Sequence, residues 1–204
     1  MSIKGETKML EADSDQFAFS LSTRFHRIGF SKAIEIDKRK NPLLLVPATV
    51  NFSYSIELML KLLLRIDYGD RFKSSTHDLE KLYSFLRKDI EKMVRFSYNQ
   101  NRQKAENRDL KTWAHVQLIT KSNHQTIALD NVEAMGLDKI KNLLAFHKAS
   151  FVNWRYIFRL KKDSGYFNVF DFCAMNDFYN ALRLTVLELK KSEWHNFIES
   201  GLSD

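Results

Sequence analysis

The sequence predicts an all-α fold, an antiparallel bundle of four to five helices carrying one polar insertion. Three observations predict it. Apolar residues recur at three- and four-residue spacing over most of the chain, the signature of helices with one buried face. Only six Gly and two Pro punctuate 204 residues, too few for a many-turned all-β fold. Hydrophobic residues make up 44 %, with sixteen Phe, seven Tyr and three Trp, enough apolar volume for one core without staples. The expected organisation is a loose polar leader over 1–14, one helical domain over 15–192 and a tail over 193–204.

The first helix is expected to start at Asp13-Ser14-Asp15, all good N-caps. Phe17, Leu21, Phe25 and Ile28 then mark its buried stripe, and Lys38-Arg39-Lys40 suit its negative end. Asn41-Pro42 breaks it. Pro47 fits the first turn of a second helix, where its missing N–H costs nothing. That helix carries Val50, Tyr54, Leu58 and Leu62 on one stripe, widened by Ile56, Met59, Leu60 and Leu63. Being apolar nearly all round, it should be the central helix, stopping at Tyr68-Gly69-Asp70.

A third helix opens at Ser74-Ser75-Thr76-His77-Asp78, where Ser75 and Asp78 have capping-box-like spacing. Leu79, Leu82, Tyr83 and Leu86 face inward, and Ile90, Met93, Val94 and Tyr98 continue the period in the same helix or in a second one after a kink. Residues 99–112 are polar and basic and begin an insertion extending to about 135. Within it, 115–120 and 125–129 resemble the strands of a short β-hairpin. Helical period returns at Leu137 and runs through Ile140, Leu143, Leu144, His147, Phe151 and Phe158 to about Leu160. A last helix spans about Val169 to Ser192, with Phe172, Met175, Phe178, Tyr179, Leu182, Val186 and Leu189 inward.

Composition narrows the function. The single cysteine, Cys173, precludes an internal disulfide and fits a reducing compartment. Residues 1–15 hold no apolar signal-peptide core, and the longest apolar runs are too short to span a bilayer, so a cytoplasmic protein without membrane contact is expected. The six histidines show no metal-ligand spacing, and no Gly-rich phosphate loop or nucleophile elbow occurs. No metal and no cofactor are therefore expected. The net charge of +7 permits phosphate-backbone partners.

Two constellations carry candidate chemistry. Glu57 and Lys61 stand four apart in the oily second helix, in the favourable ion-pair order. Arg155 lies in an apolar run and needs an anion, for which Glu57 is the obvious candidate, with His77 placed to join. These four form either a structural polar cluster or an acid/base and phosphate-binding site, in which Arg155 and Lys61 stabilise a phosphoryl transition state and His77 moves the proton. The second constellation is basic: Arg87, Lys88, Lys92, Arg95, Arg102, Lys104, Arg108 and Lys111, with Trp113 beside it. Cations interleaved with aromatics suit single-stranded nucleic acid, and an ordinary solvated face accounts for the same residues.

The run Ser55-Ile56-Glu57-Leu58-Met59-Leu60-Lys61, then His77-Asp78-Leu79-Glu80-Lys81-Leu82-Tyr83, then Phe151-Val152-Asn153-Trp154-Arg155-Tyr156, resembles the HEPN superfamily. The resemblance implies a bundle of four or five helices, a homodimer, a bacterial toxin–antitoxin or phage-defence setting, and an association with RNA or nucleotide. It also implies a site at Glu57, Lys61, His77 and Arg155. Family ribonucleases carry an Arg followed four to six residues later by His. Here no His follows Arg155 through Lys161, Arg183 is followed only by His195, and Arg24 and His26 are too close. Nucleolytic activity is thus not implied by motif. The alternative is a non-catalytic helical module that dimerises or binds a partner subunit.

Overall fold

A computed structural model describes residues 4–39, 41–104, 113–117, 139–155, 167–195 and 197. Helices carry the fold, as expected. Helix α1 (Lys4–Arg39) leads through a 3-10 turn at Pro42–Leu44 into α2 (Leu45–Tyr68). A second 3-10 turn, Gly69–Arg71, precedes α3 (Leu79–Ser84) and α4 (Lys88–Gln103). Strand β1 (Trp113–Gln117) follows, then α5 (Ile140–His147), α6 (Ser150–Arg155), β2 (Phe167–Asp171) and α7 (Phe172–Lys190). None of the described helices is long and apolar enough to cross a membrane.

The long helices pack antiparallel. Asp15 pairs with Arg65, Ser22 Oγ donates to the Ser55 carbonyl, and Gly29 lies on Ala48 and Phe52, so rising numbers in α1 meet falling numbers in α2. The same reasoning holds for α1 against α7: Asp15 faces Lys190, Thr23 meets Tyr179, and His26 meets Asn176. Helix α2 is central, with Phe52, Ile56, Met59, Leu60, Leu63 and Leu64 fully buried. Helix α4 closes on α7 through Tyr98 and Phe178 and through an Arg102–Asp177 ion pair at 3.1 Å.

The inner face of α1 differs from the expected stripe. Phe17 and Ile28 are 68 % and 48 % exposed, whereas Phe19, Ser22, Thr23, Gly29 and Ala33 are buried. Small and hydroxyl-bearing residues line this contact because the two backbones approach closely. A Cβ built on Gly29 would stand 2.9 Å from the Phe52 ring and 3.0–3.1 Å from the α2 backbone. Helical glycine ordinarily costs about 1 kcal/mol against alanine, and here the missing Cβ is what admits α2. Gly29→Val is expected to lower unfolding stability by about 1–3 kcal/mol, because it overpacks a contact whose backbone atoms cannot yield. Urea unfolding followed by circular dichroism checks this, and an unchanged midpoint would remove the close-approach argument.

Several boundaries also move. Helix α1 already runs from Lys4, so the segment expected as a loose leader is helical from there; its residues are mostly good helix formers with no proline. Ser14 and Asp15 therefore do not cap. The Ser14 hydroxyl accepts from Arg65, while Asp15 pairs with Arg65 at 3.1 Å and Lys190 at 3.6 Å, tying three helices. Helix α2 stops where expected, at Gly69 with φ 62°, a left-handed conformation glycine accepts without cost. The third helical pattern is two helices, and Asp78 alone caps the first, accepting from the Lys81 N–H at 2.9 Å.

Helix α4 extends to Gln103, so 99–103 are helical and not the start of the insertion. Strand β1 pairs antiparallel with β2, Trp113 opposite Asp171 and Gln117 opposite Phe167. The second strand of the expected hairpin, 125–129, lies outside the described residues. The helix expected from Leu137 to Leu160 is α5 and α6, interrupted where the Lys148 carbonyl leaves the helical ladder to accept from the Leu79 N–H at 3.0 Å. The last helix begins at Phe172 because Val169 and its neighbours are strand, and Asp171 caps it by accepting from the Ala174 N–H.

Candidate functional site

The second helix and the start of the third bring three of the four expected site residues together. Glu57 is 1 % exposed on the central helix. Lys61, one turn on, donates to Glu57 Oε1 at 2.8 Å. The residues before α3 run extended over α2 and place His77 Nδ1 2.9 Å from Glu57 Oε1 and 3.0 Å from Oε2. Asp78 fixes this approach by capping α3, and the Leu79 N–H is held by Lys148. A buried carboxylate would be costly alone, and here both donors offset that cost.

The His77 side chain is about half exposed, at 49 %. Its Nδ1 is taken by the carboxylate, and among the described residues its Nε2 has no partner. A carboxylate that orients the imidazole while leaving the second nitrogen free is the arrangement of a general acid or base.

Arg155 is placed differently from the expectation. Its side chain is exposed and not buried in the apolar run. Its guanidinium stands 5.6 Å from the Phe151 ring centroid, within cation–π range, and the His77 ring stands 5.6 Å from the same ring. Phe151 is thus the shared platform that brings Arg155 to the histidine side of the cluster. Its one-turn offset from Arg155 was the available sequence signal.

The basic constellation does not form one free surface. Arg102 is drawn against α7 by Asp177, and Asn101 donates to the Asp177 carbonyl at 3.2 Å. Arg87 bridges the buried side chain of Asp67 and Asp89, and Arg95 pairs with Glu91 at 3.2 Å. Lys88, Lys92 and Lys104 are exposed. Trp113 is placed by its backbone in β1, while Arg108 and Lys111 lie outside the described residues.

Two other histidines are structural. His147 is fully buried beside β2, with Nε2 accepting from the Asp171 N–H at 3.4 Å and Nδ1 against Ser150 Oγ at 3.3 Å. Burial drives it down to about 3. His26 stacks on Tyr179 at 3.8 Å and bonds Asn176 at 2.9 Å. Burial lowers it to about 4, against the Asn176 bond and with help from Arg183 and Arg27. Both stay neutral in the fold, while the unfolded chain takes up their protons below about 6.5. Their contribution is therefore complete above that value and is lost as pH falls from about 6.5 to about 4 for His26 and about 3 for His147. Asp171, raised by burial, works in the opposite sense. The urea midpoint is expected to drop across this window, and His147→Phe should flatten the drop. An equally steep profile in that variant would reject the assignment.

The fold and this geometry define an all-α bundle with a surface histidine seated on a buried carboxylate. No family model, curated protein or solved structure matches the chain, so the HEPN resemblance rests on the sequence motifs.

Proposed function

We propose that the chain is a HEPN-like helical protein that acts on RNA or a nucleotide in a bacterial defence or toxin–antitoxin setting, with His77 as the proton carrier. The observation that supports this is the contact of His77 Nδ1 with both oxygens of buried Glu57, which leaves Nε2 for a substrate hydroxyl or leaving oxygen. Lys61 on the shared carboxylate and Arg155 over the ring that His77 also faces supply positive charge for the negative charge of a phosphoryl transition state. Incubation of end-labelled RNA with the full chain, with and without Mg²⁺, tests it; products that disappear when His77 is replaced support the reading, and intact RNA under both conditions rejects it.

A second reading has its own support. Phe17, Leu43 and Phe96 are 68 %, 83 % and 66 % exposed, side chains that a non-catalytic dimerisation or partner-binding module would cover. Light scattering that gives a strictly monomeric mass at all concentrations would count against the dimer.

A further inference from the structure

We infer that a groove between the end of α2 and α3 is a binding site for single-stranded nucleic acid. The cavity holds about 520 Å³, within the roughly 300–1,000 Å³ of small-ligand sites. Arg71, Lys73 and Lys81 line it together with Tyr68, Phe72 and Phe85. A second depression shares Tyr68, Arg71 and Lys73, so the surface continues past the first. None of these six residues belongs to the basic stretch that the sequence singled out.

The groove gathers its cations around one cavity, whereas the described arginines of the basic stretch are paired away. Arg87, Arg95 and Arg102 are each committed to carboxylates. Among the described residues, Arg71, Lys73 and Lys81 have no ion-pair partner; Arg71 makes only a long bond to the Tyr68 carbonyl at 3.4 Å. Two of the acids in this region are occupied elsewhere: Asp67 holds Arg87, and Asp78 caps α3. Three uncompensated cations around one cavity attract phosphate.

The aromatic side tells which phosphate. Tyr68 and Phe85 are 36 % and 37 % exposed, and Phe72 lies between them, with ring centroids 6.4 Å and 6.2 Å away. The Tyr68 hydroxyl donates to the Phe85 carbonyl at 2.8 Å and so fixes its ring across the groove. Held aromatic faces next to backbone-tracking cations form a platform on which unpaired bases stack. A bare phosphate or a lipid headgroup would use the cations alone. Thr76 on the rim precedes His77 directly in the chain, so a strand seated here runs toward the Glu57–His77 pair. That last step rests on the catalytic reading; binding itself does not.

The test is fluorescence anisotropy with a labelled single-stranded oligouridylate at several salt concentrations, using the full chain. The triple substitution Arg71→Gln, Lys73→Gln, Lys81→Gln is expected to weaken binding at least about tenfold and to make the salt dependence shallower by about two. The same charge change at Lys88, Lys92 and Lys104 should cost less than about threefold. Phe85→Leu, which keeps apolar volume, should weaken binding several-fold with the salt dependence unchanged. Equal loss from both triples, no loss from the groove triple, or phosphatidylserine vesicles bound through the groove while the oligonucleotide is ignored would each overturn the assignment. Cleavage is read separately on the same preparations: binding without cutting leaves the groove standing and removes the catalytic reading, whereas cutting with unaltered affinity in the groove triple does the reverse.

Discussion

Phe52→Ala is expected to cost about 3–5 kcal/mol of unfolding free energy, the range for emptying a buried aromatic position. Phe52 is fully buried at the meeting of four elements. Its ring lies 5.0 Å from His26 on α1, 6.1 Å from Phe170 on β2 and 5.4 Å from Phe172 on α7, and it carries the Gly29 contact from α2. Removing it leaves a cavity walled by rings that are themselves held elsewhere: His26 by Asn176 and Tyr179, Phe170 by His147. Such walls cannot collapse inward, so the cost should fall toward the upper end. Against a total of roughly 5–15 kcal/mol, that is a large fraction of the stability of the whole domain. Phe17→Ala on the neighbouring helix supplies the contrast. At 68 % exposed it should change stability by no more than about 0.5 kcal/mol. Guanidinium unfolding of both variants decides; equal effects would mean that the core is not centred on Phe52.

The two phenylalanines also show what the sequence could and could not reveal. Helix α2 was legible because it is apolar nearly all round, so any choice of stripe identifies it as central. In α1 the apolar period pointed to Phe17 and Ile28, both exposed. The buried face there is written in Ser22, Thr23, Gly29 and Ala33, residues selected for a close approach that hydrophobic patterning does not register. Tertiary bonds explain the late elements in the same way. The break between α5 and α6 depends on the Lys148 carbonyl reaching Leu79, and β2 depends on pairing with a strand about fifty residues earlier in the chain. For the candidate site, Glu57 and Lys61 were legible from one-turn spacing, and His77 from its place at a helix start. The apolar neighbours of Arg155 predict burial, yet it is exposed over Phe151. The polar neighbours of Arg102 predict a surface position, yet Asp177 draws it inward. In both cases the local sequence described the neighbours and the distant partner decided the side chain.

Under the proposed catalytic role, His77→Gln is expected to lower RNA turnover by about 10²–10⁴-fold, the usual contribution of a positioned general acid or base. Glutamine can keep a hydrogen bond to Glu57 and fill much of the same space, but it cannot carry the proton. Because the side chain is about half exposed, thermal stability should change little, and the variant should still bind substrate. Glu57→Gln tests the next link. It preserves volume on the buried helix but alters the group that His77 Nδ1 and Lys61 both contact. As a positioning residue, Glu57 should produce a smaller fall in turnover together with a displaced pH–rate profile, since the imidazole loses the carboxylate that orients it. A structural tie predicts the opposite pattern for the pair: both substitutions lower the melting temperature, and neither moves a pH profile. The two accounts therefore part on one comparison, turnover against stability in His77→Gln. A variant that unfolds earlier yet cuts as fast as the parent would assign the Glu57–His77 contact to the fold and not to chemistry.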